Sequence, residues 1–123
     1  MKTIATLVFA AWGSAALACS SDPLNFDWNI QPGDQRITGD FLEQTVRGKK
    51  VRFGAEYEHY RRNGRYTFFD GQNQYRADSY VIYADGSRCI NYSPARYDLY
   101  VMRDGKLLLI NERGERYPAQ VTR

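Results

Sequence analysis

Val51-Arg52-Phe53-Gly54-Ala55-Glu56-Tyr57-Glu58-His59-Tyr60-Arg61-Arg62-Asn63-Gly64-Arg65-Tyr66-Thr67-Phe68-Phe69 is the stretch on which the fold turns. Val51, Phe53, Ala55 and Tyr57 alternate with Arg52, Gly54, Glu56 and Glu58. Period two over that length predicts a strand with one face toward a core. Asn63-Gly64 then interrupts the pattern, and this dipeptide suits a hairpin turn whose central residues take positive φ. Tyr66, Phe68 and Phe69 resume strand character beyond it.

Toward the C-terminus the same grammar repeats. Gly71-Gln72-Asn73-Gln74 is a turn, and Tyr75 to Ala84 is strand-like through Tyr80, Val81, Ile82 and Tyr83. Asp85-Gly86 turns the chain into a segment holding Cys89 and Ile90. After the loop Ser93-Pro94-Ala95, Tyr97, Leu99 and Val101 alternate with Asp98, Tyr100 and Met102. Asp104-Gly105 leads into a leucine-rich strand, and Arg113-Gly114 into a last strand from Glu115 to Val121. Pro118 cannot donate to a ladder, so that strand belongs at an edge. Short strands joined by Gly-containing turns predict sequential antiparallel hairpins. The expected fold is mostly β: one short N-terminal helix, then an antiparallel meander forming a curled sheet or small partly closed barrel.

Toward the N-terminus the period changes. Residues 39–47 are the helix candidate. Thr38 is placed to cap it, Asp40 lies in the first turn, and Phe41, Leu42, Thr45 and Val46 form an apolar stripe. Arg47 is in the last turn, and Gly48 fits the left-handed stop. Residues 19–37 carry Pro23, Pro32 and Gly33 and read as an irregular arm, with a short alternation at Phe26, Trp28 and Ile30. The domain proper is 38–123.

Residues 1–18 are expected to be a signal peptide: Lys2, an apolar run from Ile4, and small residues at Ala16-Leu17-Ala18. The run is about 15 residues, short of the roughly 20 that span a bilayer as a helix. The protein is therefore expected to be exported, periplasmic or secreted. Two readings of Cys19 stand. An even cysteine count in an oxidising compartment favours a Cys19–Cys89 disulfide. The alternative is acylation of Cys19, which would make a membrane-anchored lipoprotein. Two distant cysteines and the single His59 do not make a metal site, and no cofactor motif is present.

With Lys2 gone with the leader, 16 basic residues face 14 acidic ones. That near-neutral balance argues against nucleic acid as a partner. Ten tyrosines and a preference for arginine over lysine stand out instead. Tyrosine suits a half-buried sheet surface. Tyr57, Tyr60, Arg61, Tyr66, Tyr75, Arg76, Tyr80 and Tyr83 are the candidate ligand-binding set on one sheet face, since aromatic faces edged by arginine bind sugars, peptides and anions. The bland reading is that these tyrosines fill the core. No catalytic residue is assigned. Acidic pairs such as Glu56 and Glu58, on one strand face, could serve glycoside hydrolysis, against the simpler reading of solvation, and His59 reads as solvent-facing.

The span from Thr38 to Val121 resembles small secreted bacterial β-rich proteins of unknown function. The likeness rests on Arg47-Gly48-Lys49-Lys50-Val51, on Gly64-Arg65-Tyr66, and on Asp85-Gly86-Ser87-Arg88-Cys89-Ile90. It implies a β-rich extracytoplasmic domain and carries over no catalytic residue. The expected function is a non-catalytic envelope or periplasmic binding module whose Tyr/Arg sheet face meets a small ligand, glycan or envelope protein. The alternatives are a small hydrolase using strand carboxylates and a structural envelope lipoprotein.

Overall fold

The computed structural model describes residues 18–123, so the leader expected over 1–18 lies, except for Ala18, outside the described residues. One helix and eleven strands follow in order: β1 (Gln35–Arg36), α1 (Gly39–Val46), β2 (Lys50–Phe53), β3 (Glu56–Tyr60), β4 (Tyr66–Phe69), β5 (Gln74–Ala77), β6 (Tyr80–Ile82), β7 (Ser87–Ile90), β8 (Arg96–Arg103), β9 (Lys106–Asn111), β10 (Arg116–Pro118) and β11 (Gln120–Thr122). They form two antiparallel sheets rather than one curled sheet or barrel. One has the order β11-β2-β3-β4-β5; the other runs β10-β9-β8-β7-β6, with β1 added along β8. The chain crosses between the sheets three times: from β1 through α1 to β2, after Ala77, and at Ala119. The expected last strand is thus two strands, one in each sheet, and Pro118 sits on the edge strand β10.

A correction at Gly54 sets the character of the five-stranded sheet. The expected single strand over Val51–Glu58 is a hairpin, with Phe53 opposite Glu56 and Val51 opposite Glu58. Gly54 takes φ 68°, as a two-residue turn with glycine first requires. Side chains alternate faces along a strand, so re-phasing one strand exchanges its faces. Val51 stays inside, but Glu58 and Tyr60 now join it there, while Tyr57 and His59 face outward. In the next loop only Gly64, not Asn63, has positive φ; Asp104-Gly105 is the turn where both residues do.

The inner faces of the sheets pack on each other through Val51, Tyr60, Tyr66, Ala77, Ile90, Tyr100, Leu107 and Leu109. Helix α1 adds Leu42 and Val46 to this core. Its N-cap forms as expected, Thr38 Oγ1 accepting from Phe41 N at 3.1 Å, and Gly48 follows at φ 73°. The stripe is narrower than expected, because Phe41 is 45% exposed.

The arm of residues 19–37 makes no ladder at Phe26, Trp28 or Ile30, yet it is integral to the fold. It lies across the outer face of the six-stranded sheet, where Trp28 is buried with Cys89, Tyr97, Leu99, Val101, Leu108 and Ile110. Phe26 packs edge-to-face on Trp28, their centroids 5.0 Å apart. The Cys19–Cys89 disulfide ties its start to β7. Asp34 accepts from Arg103 and Arg116 at 2.8–2.9 Å and ties its end to β8 and β10. Strand β8 is therefore covered on both faces, and Asp98, expected to alternate outward, is fully buried. No described helix is long and apolar enough to cross a membrane.

Candidate functional site

The outward face of the five-stranded sheet is built by register. One row across it reads Thr122, Lys50, His59, Thr67, Arg76; the next reads Gln120, Arg52, Tyr57, Phe69, Gln74. Arg61 continues the outward phase of β3, its Nε lying 3.5 Å from Thr67 Oγ1. None of these positions is acidic. Lys50, Arg52, Arg61 and Arg76 enter none of the ion pairs formed among the described residues. Strand neighbours lie about 4.8 Å apart, so these cations share a compact field. His59 registers it: partial burial, then the charges of Arg61 and Lys50, hold its pKa below the ordinary value.

At the centre of the field lies an aromatic platform. Tyr57 and Phe69 are cross-strand partners with centroids 5.3 Å apart. Lys50 Nζ sits 4.8 Å and the Arg52 guanidinium carbon 5.0 Å from the Tyr57 centroid. Cations held over an aromatic face gain about 0.5–1 kcal/mol at exposed sites, which keeps these side chains spread on the sheet. The arrangement offers ring faces for stacking and guanidinium groups for charge-assisted hydrogen bonds to anions.

The eight expected binding residues divide among several surfaces. Tyr57, Arg61 and Arg76 belong to this outward face. Tyr60 and Tyr66 are in the core between the sheets, and Tyr83 is buried on the opposite side of the molecule under the arm. Tyr75 lies in the inward phase of β5, at 46% exposure, and Tyr80 is half-buried against the core. Lys50, Arg52, His59 and Phe69 complete the face and were missed. The signal that would have found them was Gly54: once it is read as a turn, Lys50 and Arg52 fall beside His59 and Tyr57.

The inward tyrosines surround a buried ionic cluster. Arg88 and Asp98, opposite each other in the β7–β8 register, are both fully buried and paired. Arg88 also pairs with Glu58 and lies over the rings of Tyr66, Tyr100 and Tyr60 at 5.5–6.0 Å. Glu58 Oε1 accepts from the hydroxyls of Tyr60 and Tyr100, and Oε2 from Tyr66 and Arg88. A carboxylate has about four lone-pair sites, and all are used. Burial pushes the Glu58 pKa up, but the Arg88 charge and the hydroxyl donors outweigh it and leave the group below its ordinary value. A carboxylate so held cannot donate a proton and has no lone pair aimed at a substrate. Glu58, with every lone pair taken and its pKa held below the ordinary value, is therefore not the raised-pKa acid that glycoside hydrolysis requires. Among the described residues no group of His, Cys, Asp or Glu is placed to hold a metal ion.

Comparison with protein-family models, curated proteins and solved structures finds no match for this chain.

Proposed function

We propose that the protein is an exported, non-catalytic binding module that holds an acidic glycan on the outward face of its five-stranded sheet. One observation carries this reading: Lys50, Arg52, Arg61 and Arg76 stand without ion-pair partners around the Tyr57–Phe69 platform, on a face with no carboxylate. The chain is close to neutral as a whole, so the field is a matter of placement. Seven arginines — Arg36, Arg47, Arg88, Arg96, Arg103, Arg113 and Arg116 — are spent on ion pairs elsewhere among the described residues. Stacking on Tyr57 and Phe69 suits sugar rings, and the flanking cations suit carboxylate or sulfate groups. The Cys19–Cys89 disulfide fits an oxidising compartment and so fits export.

Titration calorimetry with polygalacturonate, and with neutral dextran as control, tests the reading. Saturable binding of the acidic polymer alone is expected, weakened at least about tenfold by the double change Lys50→Glu and Arg76→Glu. Arg36→Gln, on the other sheet, should leave it unchanged. Equal binding of dextran, or indifference to the double charge reversal, would overturn the proposal.

A further inference from the structure

A cavity of about 550 Å³ opens where the chain crosses from β10 to β11. Its apolar wall comes from three directions: Phe41 of α1, Met102 and Leu107 of the β8–β9 hairpin, and Val121 of β11. The Phe41 ring, left 45% exposed while Leu42 and Val46 of the helix stripe are buried, is part of this wall. Lys106 and Arg52 also line the cavity, and no acidic residue does. Neither cation takes part in an ion pair among the described residues. Arg52 is oriented by a 3.3 Å bond from Nε to Thr122 Oγ1. The volume falls within the roughly 300–1,000 Å³ typical of small-molecule sites.

These features define a ligand by complementarity. An apolar wall with two unpaired cations and no carboxylate selects a molecule with a hydrocarbon body and one anionic end. We infer that this cavity binds a free single-chain fatty carboxylate. The chain lies against Phe41, Met102, Leu107 and Val121, and the carboxylate accepts charge-assisted hydrogen bonds from Arg52 and Lys106. A hydrophobic cation would meet two like charges, and a neutral alcohol would leave both cations without a counter-charge. The adjoining cleft, lined by Phe53, Phe68, Arg96 and Tyr117, lacks this bias. Arg96 and Arg113 there are already paired with Asp98 and Glu115, and Glu56 and Glu58 share the lining.

Titration calorimetry with dodecanoate below its critical micelle concentration tests the inference, with dodecanol and dodecyltrimethylammonium as companion probes. Saturable one-to-one binding of dodecanoate is expected. Dodecanol should bind at least about tenfold more weakly, the loss of a charge-assisted bond, and the cationic probe should not bind. Thr45→Trp, which fills the cavity from the helix side, should abolish binding. Lys106→Glu, at an exposed hairpin position, should weaken dodecanoate at least about tenfold and leave dodecanol unchanged; it keeps the test decisive if the tryptophan variant does not fold. No saturable dodecanoate binding, equal affinity for the alcohol, or indifference to Lys106→Glu would each overturn the site. Arg52 borders both the cavity and the glycan face, whereas Lys106 lines the cavity alone; polygalacturonate binding should therefore survive Lys106→Glu, and that variant distinguishes failure of one proposal from failure of the other.

Discussion

Glu58 and His59 are neighbours with opposite fates, because adjacent strand residues point to opposite faces. Glu58 lies inside, where its charge neutralises Arg88. Glu58→Gln would leave Arg88 buried with one counter-charge fewer, and removing one member of a buried pair costs about 3–5 kcal/mol. Urea unfolding of the variant should show that loss. The pH sign follows from the lowered pKa: the contribution of Glu58 is complete above its unfolded value and is lost as pH falls through the folded one. His59 lies outside among cations that disfavour its protonation. Its folded pKa is lowered, so the unfolded chain takes up the proton first, and acidification below about 6.5 weakens the fold at this residue. A polyanion on the face would reverse the repulsion. Polygalacturonate binding should therefore tighten between pH 7 and pH 5, and His59→Gln should flatten that part of the pH profile. A profile unchanged by the substitution would separate His59 from the binding face.

At the scale of elements, the arm and the helix entry are the two points where a small change has a large structural consequence. The disulfide closes a sequence separation of 70 residues, a constraint on the unfolded chain of about 4 kcal/mol in the loop-entropy account. Reduction should lower stability by roughly that amount and loosen the arm from β7. Trp28 is the only tryptophan beyond the expected leader and is 6% exposed. Its emission should shift to the red on reduction under conditions where the rest of the fold persists, and circular dichroism recorded in parallel checks that persistence. Helix α1 begins against the β6–β7 turn. A Cβ on Gly39 would stand 2.3 Å from the Tyr83 carbonyl oxygen, and backbone cannot yield as a flexible side chain does. Gly39→Ala should cost about 1–3 kcal/mol, read as a lower urea midpoint, despite alanine being the better helix former.

For the molecule as a whole, the two sheets differ in what they expose. The six-stranded sheet is covered on both faces, by the core on one side and the arm on the other. The five-stranded sheet keeps one face open, and that face gathers Lys50, Arg52, Arg61 and Arg76 without ion-pair partners among the described residues. A field of exposed charges is screened over a Debye length of about 8 Å at physiological salt. Polygalacturonate affinity should therefore fall steeply between about 0.05 and 0.5 M salt. Dodecanoate binding, whose larger part is burial of the chain, should change far less. Similar salt slopes for both ligands would contradict the assignment of two sites with different chemistry.

Much of this protein was legible in its residues. Thr38, Asp40 and Gly48 fix the helix because capping and the left-handed stop are local chemistry. The Gly-containing turns fix an antiparallel, mostly β chain for the same reason, while the two readings left open for Cys19 are resolved as the Cys19–Cys89 disulfide only in the structure. What no local pattern supplied was phase and partnership. A single glycine at position 54 decided whether Glu58 or Tyr57 entered the core, since a hairpin and a longer strand carry the same alternation on either side of it. The burial of Arg88 with Asp98 and Glu58, the covering of β8 by the arm, and the gathering of Lys50, Arg52, Arg61 and Arg76 on one face all join residues distant in sequence. Sequence determined which elements form; only tertiary structure decided which face each side chain occupies, because that depends on register between strands rather than on the order of residues within one.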